Sequence, residues 1–192
     1  MKSSLLITGG LGYVGSFTAK NYLEKTKRKS IVIDNLSRGN KFAKNYSKSK
    51  IMDISNRNIK KIIEKEKIDI VLHLASLTCV RESITNRKRY FTNYKSQIQF
   101  IKNIKKTDVK YFIFSSSLSV FEKNEFKKNL SPYSMYKLKI EKYLKRISSP
   151  NFKVIILRYP NIIGSSPSGK LGEKNNFISR IVPIFYKNII NK

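Results

Sequence analysis

Between an apolar run at Leu5 to Ile7 and a helix-like stretch from Ser16 lies Thr8-Gly9-Gly10-Leu11-Gly12-Tyr13-Val14-Gly15, with glycines spaced G-x-x-G-x-x-G. Few local patterns restrict a fold as much. Glycines at positions Gly9, Gly12 and Gly15 permit a tight turn, close approach of the backbone to a diphosphate, and close packing of a helix on its preceding strand. The helix N-terminus then faces the anion. A second apolar run, Ile31-Val32-Ile33, ends in Asp34 at the distance expected of an acid that accepts from a ribose 2'-hydroxyl. Its charge repels a 2'-phosphate, so the paired signals predict a dinucleotide site that favours NAD over NADP. The nearby Arg38 is the feature that pulls the other way.

Further short apolar runs recur at Ile70 to Leu74, Tyr111 to Ser115 and Lys153 to Arg158, with a weaker one at Lys50 to Asp53. Between them lie stretches long enough for helices: Ser16 to Lys25, Asn58 to Glu66, Asn93 to Lys105 and Tyr133 to Arg146. Strands alternating with helices predict an α/β fold, a Rossmann-like doubly wound parallel sheet covered on both faces. Lys41 to Lys50 reads as a polar surface loop, and Gly164 to Gly172 as a Gly, Ser and Pro-rich segment. The expected division is a dinucleotide-binding domain over 1–160 followed by a short region over 161–192.

The chain has 192 residues and a formal charge of +28, from 40 Lys+Arg against 12 Asp+Glu. Such an excess suits a polyanion partner. It is also spread along the chain with abundant isoleucine and asparagine, as AT-rich codons would supply, and Arg87-Lys88-Arg89 and Lys105-Lys106 fit solvated helix faces. The expectation is weak, salt-dependent adhesion to polyanions and no specific nucleic-acid partner. No stretch of about 18 apolar residues or apolar leader is present, so neither a membrane span nor a signal segment is expected. The single cysteine, Cys79, agrees with a reducing compartment, and the expected location is the cytoplasm. No metal-ligating set stands out.

In a doubly wound sheet, ligands sit at the carboxyl ends of the strands. One such end carries Ser115-Ser116-Ser117, followed by Ser131-Pro132-Tyr133-Ser134-Met135-Tyr136-Lys137, where Ser131 fits a helix N-cap and Pro132 the first turn. Tyr133 and Lys137 then share a helix face. A neighbouring ammonium stabilises tyrosinate, which makes Tyr133 a candidate acid/base near neutrality, and Lys137 could also hold a cofactor ribose. With 11 Tyr in the chain, roughly two Tyr-x-x-x-Lys matches arise by chance, and Tyr46 to Lys50 is a second. The serine cluster and the glycine turn single out the first.

The strings Thr8 to Ser16, Asp34-Asn35-Leu36, Phe112 to Ser117, Ser131-Pro132-Tyr133 and Leu157-Arg158-Tyr159 resemble the UDP-glucose 4-epimerases, within the NAD-dependent epimerase/dehydratase family of extended short-chain dehydrogenases/reductases. Pro167-Ser168-Gly169, Gly172-Glu173 and Asn175-Asn176 extend the likeness. The resemblance implies bound NAD lined by Gly9, Gly12, Tyr13, Val14, Gly15, Asp34, Asn35, Asp53, Ile54, Leu74, Ala75, Asn93 and Pro160, with Lys137 on the nicotinamide ribose. Ser117 and Tyr133 would contact the sugar hydroxyl, and Asn161 and Asn176 the UDP-sugar. The reaction implied interconverts UDP-galactose and UDP-glucose: Tyr133 takes the 4-hydroxyl proton while NAD accepts hydride from C4, and the 4-keto sugar is reduced on its other face.

The chain departs from the family pattern in several places. Such enzymes continue for more than a hundred residues beyond the point matching Lys192, so the resemblance implies a truncated C-terminal substrate domain that 161–192 only begins. Pro160 replaces a usual phenylalanine, Thr78 a common lysine, and Ser119-Val120-Phe121-Glu122 lacks the usual Tyr-Gly. The implied partners are a UDP-sugar, a second copy through the helices at Asn93 to Lys105 and Tyr133 to Arg146, and a separately encoded C-terminal domain. The competing readings are a catalytically impaired NAD-binding remnant and a nucleotide-sugar dehydratase or decarboxylase of the same family.

Overall fold

Apolar runs without polar alternation, such as Ile31-Val32-Ile33, are satisfied only where both faces are covered, and the chain buries all five residues of that strand. The structure, a computed structural model, describes residues 4–39, 41–121 and 130–173, with 184–185 and 188–189 beyond them. Its strands are β1 (Leu5–Thr8), β2 (Ser30–Asp34), β3 (Ser47–Ile51), β4 (Ile70–His73), β5 (Tyr111–Ser117) and β6 (Lys153–Tyr159). They form one sheet in the order β3-β2-β1-β4-β5-β6, each neighbouring pair parallel. The order turns back between β1 and β4, which opens a crevice at their carboxyl ends.

Strand periodicity sorts the side chains into two layers. Leu6, Ile31, Ile33, Val71, Phe112 and Phe114 face α2 (Ile59–Lys65), α4 (Arg87–Ile104) and α5 (Pro132–Ile147), which contribute Ile63, Phe100, Ile101, Ile104, Ile140 and Leu144. Ile7, Val32 and Leu72 face the other way, against Leu11, Ala43, Leu171 and Ala19 of α1 (Tyr13–Thr26). That second layer thins over β6, where Ile155 and Leu157 are exposed among the described residues.

Most expected elements form, and the differences have local causes. The weak strand expected at Lys50 to Asp53 runs instead from Ser47 to Ile51, and the expected loop at Lys41 to Lys50 is a 3-10 helix over Lys41–Tyr46 leading into it. β3 is an edge strand with only Ser47 buried, so its order comes from backbone pairing with β2 rather than from apolar alternation. The helix expected from Asn93 starts at Arg87, because Asn86 caps it by accepting from Arg89 N at 3.2 Å. A short helix not expected from the sequence, α3 (Val80–Thr85), precedes it. At α5 the expected cap is present: Ser131 accepts from Ser134 N at 3.2 Å, with Pro132 in the first turn.

Two glycines fix the crevice. Gly9 has φ +68°, and a Cβ there would lie 2.8 Å from Ala75 N. A Cβ on Gly15 would lie 2.3 Å from the Gly9 carbonyl oxygen, so α1 packs on the turn only without a side chain at that position. Gly15→Ala is expected to destabilise the chain by about 1–3 kcal/mol through overpacking, read by urea denaturation. Unchanged stability would mean that the turn and helix separate freely.

Candidate active site

The carboxyl ends of the strands surround one cleft of about 1100 Å³. This exceeds the roughly 300–1,000 Å³ of ordinary small-molecule sites and suits an extended ligand. At one end Gly12 caps α1 without a side-chain hydrogen bond, so the first turn presents its N–H groups and positive dipole end to the cleft. The buried Asp34 carboxylate accepts from Leu11 N at 3.0 Å and Leu36 N at 2.8 Å, tying the glycine turn to the end of β2. Beside it Asn35 Nδ2 donates to Asp53 Oδ2 at 3.0 Å. Burial pushes the Asp53 carboxyl up, but hydrogen bonds from Ser55 and Asn35 outweigh it and hold the group below its ordinary range.

The middle of the cleft is lined by Leu74, Ala75 and Asn93, whose Oδ1 accepts from Leu77 N at 3.3 Å and Gln97 Nε2 at 2.8 Å. The far end holds Ser117, Tyr133, Tyr159, Pro160 and Asn161. Tyr13 OH donates to the Gly164 carbonyl at 2.6 Å, drawing the segment after β6 towards α1. That segment closes on itself through a Ser165 to Gly172 bridge, and Leu171 seats in the second core layer.

Strand alternation gives adjacent serines different surroundings. Ser116 is buried and donates to Glu141 Oε1 at 2.5 Å, while Glu141 also receives Arg158 Nε at 3.0 Å and Nη2 at 2.6 Å. Burial pushes the Glu141 carboxyl up, yet these hydrogen bonds and the guanidinium hold it below the ordinary carboxylate range. Ser117 lines the cleft, its Oγ accepting from Ser119 N at 3.2 Å. Ser119 in turn accepts from Ser134 Oγ at 2.9 Å, which joins the strand end to the first turn of α5.

Lys137 lies behind this wall. It is 4% exposed, donates to the Ser115 carbonyl at 2.7 Å, and stands 4.8 Å from the Phe114 ring centroid and 5.8 Å from that of Tyr133. Burial pulls its ammonium down to about 7, with Glu141 one turn on opposing the shift. His73, buried in the adjoining layer against Phe100, has Nδ1 2.7 Å from Thr8 Oγ1. Burial and then the Lys137 charge pull it down to about 3, so it is neutral at physiological pH.

The structure thus brings Gly9, Gly12, Tyr13, Val14, Gly15, Asp34, Asn35, Asp53, Ile54, Leu74, Ala75, Asn93, Ser117, Tyr133, Pro160 and Asn161 to one cleft. Lys137 sits behind Tyr133 rather than on the cleft wall, and Asn176 falls outside the described residues. Arg87-Lys88-Arg89 form the solvated helix face expected, all three exposed, and Lys88 and Arg89 also border the cleft. Arg89 and Arg38 both pair with Glu82, a contact that spacing in the sequence does not signal. Glu141 had a signal: it lies four residues after Lys137 on the same buried helix face. Among the described residues no group of His, Cys, Asp and Glu could hold a metal, and no helix is long and apolar enough to cross a membrane.

Residues 5–192 match the NAD dependent epimerase/dehydratase family. A UDP-glucose 4-epimerase of Yersinia enterocolitica is 36% identical over 90% of this chain and 57% of its own length. The structure of UDP-glucose 4-epimerase from Brucella ovis in complex with NAD superposes with a TM-score of 0.86 at 27% identity, covering 95% of this chain and 59% of that one. A UDP-N-acetylglucosamine 4-epimerase from Methanobrevibacter ruminantium in complex with UDP-N-acetylmuramic acid gives 0.82 at 27% identity, covering 100% and 64%. In each case this chain spans less than two thirds of the relative's length.

The Lys137 shift has a measurable sign. Its folded pKa, about 7, lies below the ordinary 10.5, so between these values the unfolded chain holds a proton that the folded chain lacks. Stability then rises with pH across that window, and the contribution is absent below it. Relative to Lys137→Met, the chain is expected to gain on the order of a few kcal/mol between about pH 7 and 10.5, measured by urea denaturation. A pH-independent difference would show a solvated ammonium.

Proposed function

Because the chain belongs to the NAD dependent epimerase/dehydratase family, we propose that its cleft binds NAD and that Tyr133 acts on the 4-hydroxyl of a UDP-sugar, interconverting UDP-galactose and UDP-glucose. The observation that carries this reading is the meeting, in one cleft, of the glycine turn, Asp34, Ser117 and Tyr133. The residues fit a dinucleotide: the cradle at Gly9 and Gly15 leaves no room for a Cβ, and α1 turns its dipole towards the diphosphate position. Asp34 suits a ribose hydroxyl, and the Asn35–Asp53 pair supplies polar groups to an adenine. When bound, NAD supplies a reversible two-electron acceptor.

The chain's own groups supply the proton chemistry. Tyr133 takes the sugar hydroxyl proton and returns it after the sugar has turned over. Ser117 hydrogen-bonds the same oxygen and orients it. The Lys137 ammonium behind the ring stabilises the phenolate, and its depressed pKa places that charge at the edge of neutrality. Asn161, beyond β6, and Asn176 serve the UDP-sugar. Residues 1–160 form the NAD-binding part in this reading, and 161–192 begin the substrate-binding part. In this reading the protein works in the cytoplasm.

Conversion of UDP-galactose to UDP-glucose by the purified chain tests the reading. Turnover is expected to be weak, to rise when the C-terminal part of a relative is supplied, and to fall about 10²–10⁴-fold in Tyr133→Phe. NAD binding without turnover, with or without that supplement, would favour the non-catalytic reading, and undiminished activity in Tyr133→Phe would remove the acid/base. A second copy pairs through α4 and α5, where the half-exposed Phe91 stacks on Tyr94, which stacks in turn on Tyr136. Sedimentation is expected to give a dimer at micromolar concentration that Phe91→Glu dissociates; a wild-type monomer there would refute the pairing.

A further inference from the structure

Asp34 does not decide alone between the two dinucleotides. Arg38 lines the same cleft, and a guanidinium near that acid is what accommodates a 2'-phosphate. Gly39 packs directly on the acid, since a Cβ built there would lie 3.2 Å from Asp34 Oδ1, so Arg38 springs from the edge of that carboxylate. Arg89 reaches the cleft from the first turn of α4. Both cations are engaged: Arg38 Nη2 lies 2.5 Å from Glu82 Oε2 and Arg89 Nη1 2.5 Å from Oε1. Tyr90 OH, whose one proton goes to the Cys79 carbonyl at 2.7 Å, packs 3.2 Å from Oε2.

We propose that Glu82 is a specificity-determining residue of the cofactor site: it holds Arg38 and Arg89 and so withholds from the cleft the cations that a 2'-phosphate needs. The inference rests on the reading that the cleft binds NAD. Asp34 and Glu82 set two carboxylates against the two guanidiniums. A 2'-phosphate must then break a charge-assisted pair or meet Asp34 with no guanidinium to offset it. A ribose hydroxyl needs neither. Because the three side chains are partly exposed, at 34%, 22% and 47% for Arg38, Glu82 and Arg89, the pairs themselves contribute little stability. Their effect lies in which ligand finds a free guanidinium.

Calorimetry of the 192-residue chain with NAD and NADP tests this at fixed salt. The wild type is expected to prefer NAD. Glu82→Gln should bind NADP about tenfold more tightly or better, with NAD affinity within about twofold, since freeing an arginine adds a bidentate phosphate contact. Adding Arg38→Gln to that variant should cancel the gain. Glu82→Asp keeps the charge but is one methylene shorter and cannot span both guanidiniums; it should show a smaller gain, and carries the comparison if Glu82→Gln fails to fold. An unchanged NADP to NAD ratio in variants that still bind NAD, or a gain that survives Arg38→Gln, overturns the proposal. A wild type that binds neither dinucleotide overturns the cofactor reading beneath it, and this inference with it.

Discussion

A single buried carboxylate holds one end of the cleft in place. Glu141 on α5 accepts from Ser116 on β5 and from two nitrogens of Arg158 on β6, so three elements meet at one group. A buried charge persists only when its acceptor sites are taken, and here both oxygens are. The contact sets the depth of α5 against the sheet. One turn back on the helix, Lys137 is thereby carried to the Ser115 carbonyl, and two turns back Tyr133 to the cleft. The β5–β6 ladder, paired from Tyr111 and Lys153 out to Ser117 and Tyr159, keeps the strand ends level at that point.

The large cation excess has a second outlet besides solvent. Carboxylates are too few for every lysine and arginine, and several cations lie over ring faces instead: Lys95 on Phe91, Lys105 on Phe152, Lys153 on Tyr111 and Lys170 on Phe42. Such contacts contribute about 0.5–1 kcal/mol at exposed sites and cover apolar edges with methylene stems. Four of the 12 acids, Asp34, Asp53, Glu82 and Glu141, tie separate parts of the chain together. In a chain so poor in carboxylates, each of these four binds several donors.

The fold was legible in the sequence wherever burial imposed a pattern. β2 and β4 announce themselves as unbroken apolar runs, and the glycine turn and the cap at Ser131 each require particular residue types. β3 left no such trace, because an edge strand of alternating serine and lysine is held by its neighbour's backbone. The six residues of α3 are too short for a helical period to emerge. At the site, the residues that line the cleft follow from the strand ends, whereas the ties between distant charges do not. Arg38 and Glu82 are 44 positions apart, and only the folded chain makes them neighbours.

The alternation along β5 also constrains how the chain can change over generations. Ser116 and Ser117 are chemically identical, and only the parity of their positions makes one a buried strut and the other a wall of the cleft. Inserting or deleting one residue upstream within the strand would exchange their places and turn Phe112 and Phe114 out of the core. Length variation is therefore barred inside β5 and admitted only in the connections that flank it, while either serine, kept in register, stays free to diverge towards its own task.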